Sequence, residues 1–234
     1  MAFERLKEEV WRANMDLVRA GLVVLTWGNA SGADRRAGIM AIKPSGVDYE
    51  SLKSRDIVIV SLETGDTVEG DLRPSSDGPT HLTLYRAFGQ IGGVVHTHSP
   101  HATGWAQACR EIPCLGTTHA DHFCGPIPLT RQLTDEEVQQ AYEENTGRVI
   151  VERFSGAGLD PMSVPAALLP RHGPFVWGAD VRSAVENAIV LEEVARMAFG
   201  AVLLNSGLEG LPPALLTKHF WRKHGPDAYY GQKR

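Results

Sequence analysis

Apolar positions along the chain switch between helical and strand spacing. Phe3, Leu6, Val10, Leu17 and Val18 fall near one face of a helix over residues 3–20, which Gly21 stops. Short branched runs predict strands at 22–26, 38–42 and 57–62, the last turned by Glu63-Thr64-Gly65-Asp66. A helix over 80–88 follows Pro79, a residue suited to the first helical turn. Val94-Val95 lead into a strand carrying His96 and His98, and Ser99-Pro100 opens a helix to about Cys109. Residues 112–117 are strand-like. Thr134-Asp135-Glu136-Glu137 is a capping box for a helix ending near Asn145. Further strands are predicted at 149–151, 166–169 and 175–177, with Pro170-Arg171-His172-Gly173-Pro174 as the turn before the last. Asp180 opens the longest helix, to about Phe199, and a final helix runs from Pro212-Pro213 to His224-Gly225-Pro226. Strands and helices mix without strict βαβ repetition. The expected fold is α/β: a three-layer αβα arrangement with a central mixed, largely antiparallel sheet and helices on both faces. One domain over residues 1–234 is expected, with no internal repeat or linker.

Composition leaves that picture unchanged and narrows the function. The 234 residues are 43% hydrophobic and 22% charged, as in an ordinary globular protein. A net charge of −5 without a basic stripe argues against nucleic acid. Cys109, Cys114 and Cys124 are odd in number and lack CxxC spacing, so neither a disulfide framework nor a thiolate zinc site is expected. The charged start, Met1-Ala2-Phe3-Glu4-Arg5, has no apolar leader, and no apolar run approaches the ~18 residues of a membrane span. A cytoplasmic protein with no membrane contact is the expectation.

Candidate chemistry centres on His96 and His98. Side chains two apart on a strand share a face, and two neutral imidazoles make two-thirds of a three-histidine zinc site. The bland alternative packs one histidine in the core and leaves the other at the strand end. His81, His101, His119, His122, His172, His219 and His224 compete for third place. His101 is nearest in sequence, while His172 sits in a tight turn whose glycine and proline can fix it; spacing leaves the choice open. Ser75-Ser76-Asp77 precede a predicted helix, where unpaired N–H groups collect anions. Simple capping is the competing account. The small residues of Trp27-Gly28-Asn29-Ala30-Ser31-Gly32 allow a backbone to approach a ligand closely.

Several of these segments recur together in one family. The chain resembles the L-ribulose-5-phosphate 4-epimerases of the class II aldolase superfamily nearly end to end. The match rests on Thr26-Trp27-Gly28-Asn29, Ile42-Lys43-Pro44-Ser45-Gly46-Val47-Asp48-Tyr49, Pro74-Ser75-Ser76-Asp77 and Val95-His96-Thr97-His98. It continues through Gly116-Thr117-Thr118-His119-Ala120-Asp121, His172-Gly173-Pro174-Phe175, Arg222-Lys223-His224-Gly225 and Tyr229-Tyr230-Gly231-Gln232. The resemblance implies a metal, usually zinc, with manganese or cobalt also accepted, on His96, His98, His172 and Asp77. The related aldolases typically carry Glu at the acidic place, so Asp77 favours the epimerase branch. The resemblance further implies a sugar phosphate held by Gly28, Asn29, Ser45, Gly46, Ser75 and Ser76, with Lys43 on the substrate side. Asp121 and Tyr230 match the acid/base pair, the tyrosine reaching in from a neighbouring subunit, and His219 matches a residue lining the site. The implied assembly is a C4 homotetramer with sites at subunit interfaces. Pro170-Arg171 depart from the family's frequent His-Ser before the ligand His172.

That chemistry explains the residue types. Inverting a secondary alcohol carbon without an acidic hydrogen calls for a retro-aldol cut of the C3–C4 bond, a Lewis-acid electron sink at the ketone and two proton-transfer groups. A sugar-phosphate aldolase on the same scaffold is the near rival. A non-enzymatic adducin-like module is the far one, and it has no need of metal ligands.

Overall fold

The computed structural model of the protein describes residues 3–230. Seven strands form its centre: β1 Asn29–Asp34, β2 Ile39–Ile42, β3 Val58–Ser61, β4 Thr67–Glu69, β5 Gly93–His96, β6 Ala166–Leu168 and β7 Pro174–Gly178. They lie in one sheet in the order β4-β3-β2-β1-β5-β7-β6. Every pairing within it is antiparallel, as short hairpin connections at β1–β2, β3–β4 and β6–β7 require. Parallel character is confined, among the described residues, to one isolated bridge between Leu129 and Leu168.

Alternation along β1 separates the layers. Gly32 faces the helices α1 (Glu4–Arg19) and α6 (Val181–Leu204): a Cβ there would meet Val10 Cγ2 at 3.0 Å and Val181 Cβ at 3.4 Å. Ser31 faces the other way, its hydroxyl bonded to His81 Nδ1 (2.7 Å) and Tyr85 Oη (2.9 Å) of α2 (Gly78–Ala87). On that second face Trp177 of β7 meets Phe88 at 5.3 Å and Phe154 of α5 (Asp135–Ala157) at 5.2 Å between ring centroids. The sheet thus lies between helices, with an apolar core on each side. Helix α3 (Pro100–Gln107) packs on α6, and α7 (Pro213–His224) on the short α4 (Thr117–Ala120).

Several local expectations are corrected. Residues 22–24 are irregular and 25–26 a turn, with Leu25 at φ 54°, and the strand begins later, at Asn29. Its sequence, Asn-Ala-Ser-Gly-Ala-Asp, is poor in strand formers, and pairing on both edges holds it extended. Strand β4 had no sequence signal. Residues 112–117 retain one bridge, Ile112 to Ile127, and α4 starts at Thr117. The helix expected to end near Asn145 continues to Ala157 as α5, so the 149–151 strand does not form. Val149, Ile150 and Phe154 are buried along it, and Gly147 lets it lie against Thr83 of α2, where a Cβ would come within 2.6 Å of Thr83 Cβ. Helix α6 also outruns its expected end, reaching Leu204.

Candidate metal centre and anion cavity

Antiparallel register brings Asn29 of β1, His96 of β5 and Phe175 of β7 into one row on the α2 side of the sheet. His96 is buried and stacks on Phe175 with ring centroids 4.2 Å apart. Its Nδ1 is bonded to the main-chain oxygen of Pro174 at 2.9 Å, which turns Nε2 outward. There it lies 3.0 Å from Nε2 of His98, a residue past the strand end with an exposed side chain. His172 arrives from the β6–β7 turn, where Arg171 takes a left-handed φ of 61°. Its ring centroid is 4.8 Å from that of His96 and 5.1 Å from that of His98.

Ligand-capable atoms of the three histidines all lie within 4.8 Å of one another. The 3.0 Å separation is just inside the ~3.3 Å edge of a tetrahedron built on zinc–nitrogen bonds of ~2.05 Å. Burial, reinforced by His96 and His98, pushes His172 down to about 4. Burial and His96 likewise lower His98. Imidazoles that stay neutral are what a divalent cation binds, so the donor set fits a metal.

Asp77 occupies the N-cap position of α2 beside this triad, without a side-chain capping bond, and is not among the clustered ligand atoms. Its Oδ2 accepts from Asn29 Nδ2 at 2.6 Å, and the same amide reaches Ser75 Oγ at 3.1 Å. Burial pushes the Asp77 carboxyl up; His96, His81 and the Asn29 hydrogen bond outweigh it and hold the carboxyl below its ordinary value.

A cavity of about 360 Å³ opens over the triad. Gly28, Asn29, Lys43, Ser45, Gly46, Ser75 and Ser76 all line it, with Asp77, His96, His98 and His172. Backbone bonds from Ser45 N to Arg73 O and from Ser75 N to Lys43 O, both 2.9 Å, tie the two hydroxyl-bearing loops together. Gly28, at φ 79°, passes so close to the end of β5 that a Cβ would lie 2.8 Å from the His96 carbonyl oxygen. Lys43 is buried; its Nζ donates to Val47 O at 2.7 Å and sits 4.8 Å from the Tyr49 ring centroid. Burial lowers its pKa, against the pull of Asp48. Hydroxyls, an ammonium and the N-terminus of a ten-residue helix give this wall the chemistry of an anion site. A groove of about 860 Å³ between α1 and α6 is larger but lacks convergent ligands, so chemistry rather than volume marks the site.

Asp121, His219 and Tyr230 lie together elsewhere and do not line this cavity. Asp121 follows α4 and accepts two bonds from Arg222 of α7, Nε at 3.0 Å and Nη2 at 2.7 Å, and one from His219 Nδ1 at 3.0 Å. Lys223 Nζ stands 3.6 Å away, and His224 Nε2 bonds the Asp121 carbonyl at 2.9 Å. Burial raises the Asp121 carboxyl; Arg222, His219 and Lys223 together hold it below its ordinary value. The Tyr230 ring lies 4.8 Å from the Arg222 guanidinium and 4.5 Å from Lys223 Nζ. Gly231-Gln232, which close the sequence match, lie outside the described residues. Sequence reasoning missed Tyr142, whose Oη is 3.2 Å from His172 Nδ1.

The fold is that of a known family. The class II aldolase and adducin N-terminal domain family matches residues 8–199, and the chain belongs to it. Among solved structures, an L-fuculose 1-phosphate aldolase is 25% identical, with a TM-score of 0.77 over 92% of this chain and 94% of that one. YgbL from Klebsiella pneumoniae is also 25% identical, covering 92% and 97% with a TM-score of 0.69. An L-fuculose-1-phosphate aldolase from Thermus thermophilus shares the fold at 22% identity, covering 87% and 98% with a TM-score of 0.67. No helix among the described residues is long and apolar enough to cross a membrane.

Proposed function

We propose that this single-domain chain is a metal-dependent sugar-phosphate enzyme of the cytoplasm that interconverts L-ribulose 5-phosphate and D-xylulose 5-phosphate. The observation that carries the reading is the one cavity joining a three-histidine centre to a wall of hydroxyls, glycines and a buried lysine. Zinc, or manganese or cobalt in its place, is held by His96, His98 and His172, with Asp77 completing the set from α2. A metal there supplies Lewis acidity, drawing electron density from the carbon–carbon bond that breaks. Gly28, Asn29, Ser45, Gly46, Ser75 and Ser76 hold the phosphate, and Lys43 adds positive charge beneath it.

The reaction balances with two proton-transfer groups. One takes the C4 hydroxyl proton as the C3–C4 bond breaks and its electron pair passes to the C2 carbonyl, leaving an enediolate of dihydroxyacetone and glycolaldehyde phosphate. The aldehyde turns its other face, the bond re-forms, and the second group returns a proton to the C4 oxygen. Asp121 and Tyr230 are the pair, with His219 beside them. Because both stand apart from their own chain's cavity, the reading requires a neighbouring copy to present Tyr230 together with the Asp121 cluster it packs on. The arrangement is a homotetramer with sites at subunit interfaces.

A second reading, a sugar-phosphate aldolase, is favoured by the 25% identical L-fuculose 1-phosphate aldolase. Purified protein incubated with L-ribulose 5-phosphate separates the two, assayed before and after chelation and zinc restoration. Metal-dependent appearance of D-xylulose 5-phosphate is expected. Release of free glycolaldehyde phosphate and dihydroxyacetone would establish the aldolase, and no turnover by zinc-loaded protein would remove this substrate.

A further inference from the structure

Helix α5 is broken at Ala141, whose φ of −155° and ψ of 65° are not helical, yet the helix resumes at once. Sharp breaks usually mark proline, glycine or an inserted group, and neither proline nor glycine stands at this one. Two buried side chains serve the interrupted backbone instead. Asn145 Nδ2 donates across the break to Glu137 O at 2.9 Å, and Thr80 Oγ1 of α2 donates to Glu143 O at 2.5 Å. Carbonyls at the break thus keep donors, so the irregularity is built into the packing of α2 on α5.

Its consequence falls on the next residue. Tyr142 stands over the third histidine of the triad, Oη 3.2 Å from His172 Nδ1 and ring centroids 6.2 Å apart. His96 has its Nδ1 fixed by a main-chain oxygen inside the sheet. His172 sits on a surface turn, and its Nδ1 contact comes from a side chain.

We propose that Tyr142 is a positioning residue for His172, holding the imidazole in the tautomer and rotation that present Nε2 to a metal. The inference rests on the triad being a metal centre. With Nε2 reserved for the cation, Nδ1 carries the proton and donates it to the phenol oxygen. A ligand histidine held in this way keeps its orientation and gains basicity. The break in α5 is the device that brings the phenol within reach.

The test is metal affinity, read without turnover. Competition with a chromophoric chelator gives zinc affinity for wild type, Y142F, Y142L and H96A, and the cobalt-substituted proteins give visible spectra. Y142F is expected to bind zinc at least ~10-fold more weakly, with a shifted cobalt band. Y142L is expected to match it, and the metal-free variants to keep the wild-type melting temperature. Wild-type affinity and spectrum in Y142F would overturn the proposal. A defect in Y142L that Y142F lacks would do the same, since ring packing would then be the cause. Failure of wild type to bind zinc, or H96A binding as wild type does, would instead remove the metal centre itself.

Discussion

The cavity and the Asp121 cluster are built in opposite ways. His96 takes its place from strand register, stacking on Phe175 and a bond to Pro174 O, all inside the sheet. Asp121 takes its place from charge: a forked Arg222, a histidine and a lysine, all from one helix near the end of the chain. Tyr230, the outermost member, is 59% exposed and touches Arg222 and Lys223. The difference teaches that the three histidines meet within one chain, whereas the Asp121 cluster is a separate module, to which our proposal gives proton transfer in the site of another copy. Sheet burial suits ligands that must not move. A charged cluster suits residues that meet substrate only on assembly.

Breaking each region separately gives the largest contrast. H98A removes an exposed ligand with little packing to lose, so it should abolish metal binding and turnover while the fold survives. D121N should lower kcat by ~10²–10⁴-fold while metal content stays near one per chain. Metal analysis beside steady-state kinetics checks both. Metal loss in D121N would place Asp121 in a structural role and erase the proposed division.

Acid should weaken both regions through histidines that are buried neutral. Burial pushes His81, on the cavity side, down to about 3, and His119, beside Asp121, down to about 4, from an ordinary 6.5. Below pH 6.5 the unfolded chain takes up protons that the folded chain refuses until about pH 4 at His119 and about pH 3 at His81. Stability is therefore present above 6.5 and lost as pH falls toward those values. His119 alone should account for on the order of 2 kcal/mol between about pH 7 and 5. H119Q keeps a donor for Gly125 O, which His119 Nε2 now meets at 2.8 Å, and removes the titration. Urea unfolding of the metal-free protein should show a flatter pH dependence in H119Q; an unchanged slope would exclude His119 as the source.

Legibility in the sequence follows how local each cause is. Strands β2, β3 and β7 stand close to where their apolar runs and turns put them, whereas β5 stops at His96 and leaves His98, expected on the same strand, beyond its end. Strand β1 is held by neighbours on both edges, and its small polar residues carry no such signal. Val149-Ile150-Val151 read as a strand because β-branched residues favour one, but packing of α5 on α2 decides for helix. His96 and His98 were legible as a pair. His172 was not legible from spacing, because it reaches them through the pairing of β7 with β5, a long-range fact of topology. The family resemblance supplied it, along with the loop residues that meet in the cavity. Tyr142 had no signal at all, since its reach depends on the break at Ala141.

Arg222 offers the finest probe of the contrast between the two regions. It holds Asp121 with two N–H groups at a geometry a lysine cannot copy, and it also faces the Tyr230 ring. R222M should leave metal affinity unchanged, since among the described residues no hydrogen bond or ion pair joins Arg222 to the triad, and lower kcat by on the order of tenfold through a misplaced carboxylate. R222K should recover part of that loss by restoring charge without the fork. A rise in KM at constant kcat would instead assign Arg222 to the substrate phosphate. A drop in zinc affinity would show that the two regions are coupled within one chain, against the division drawn from their construction.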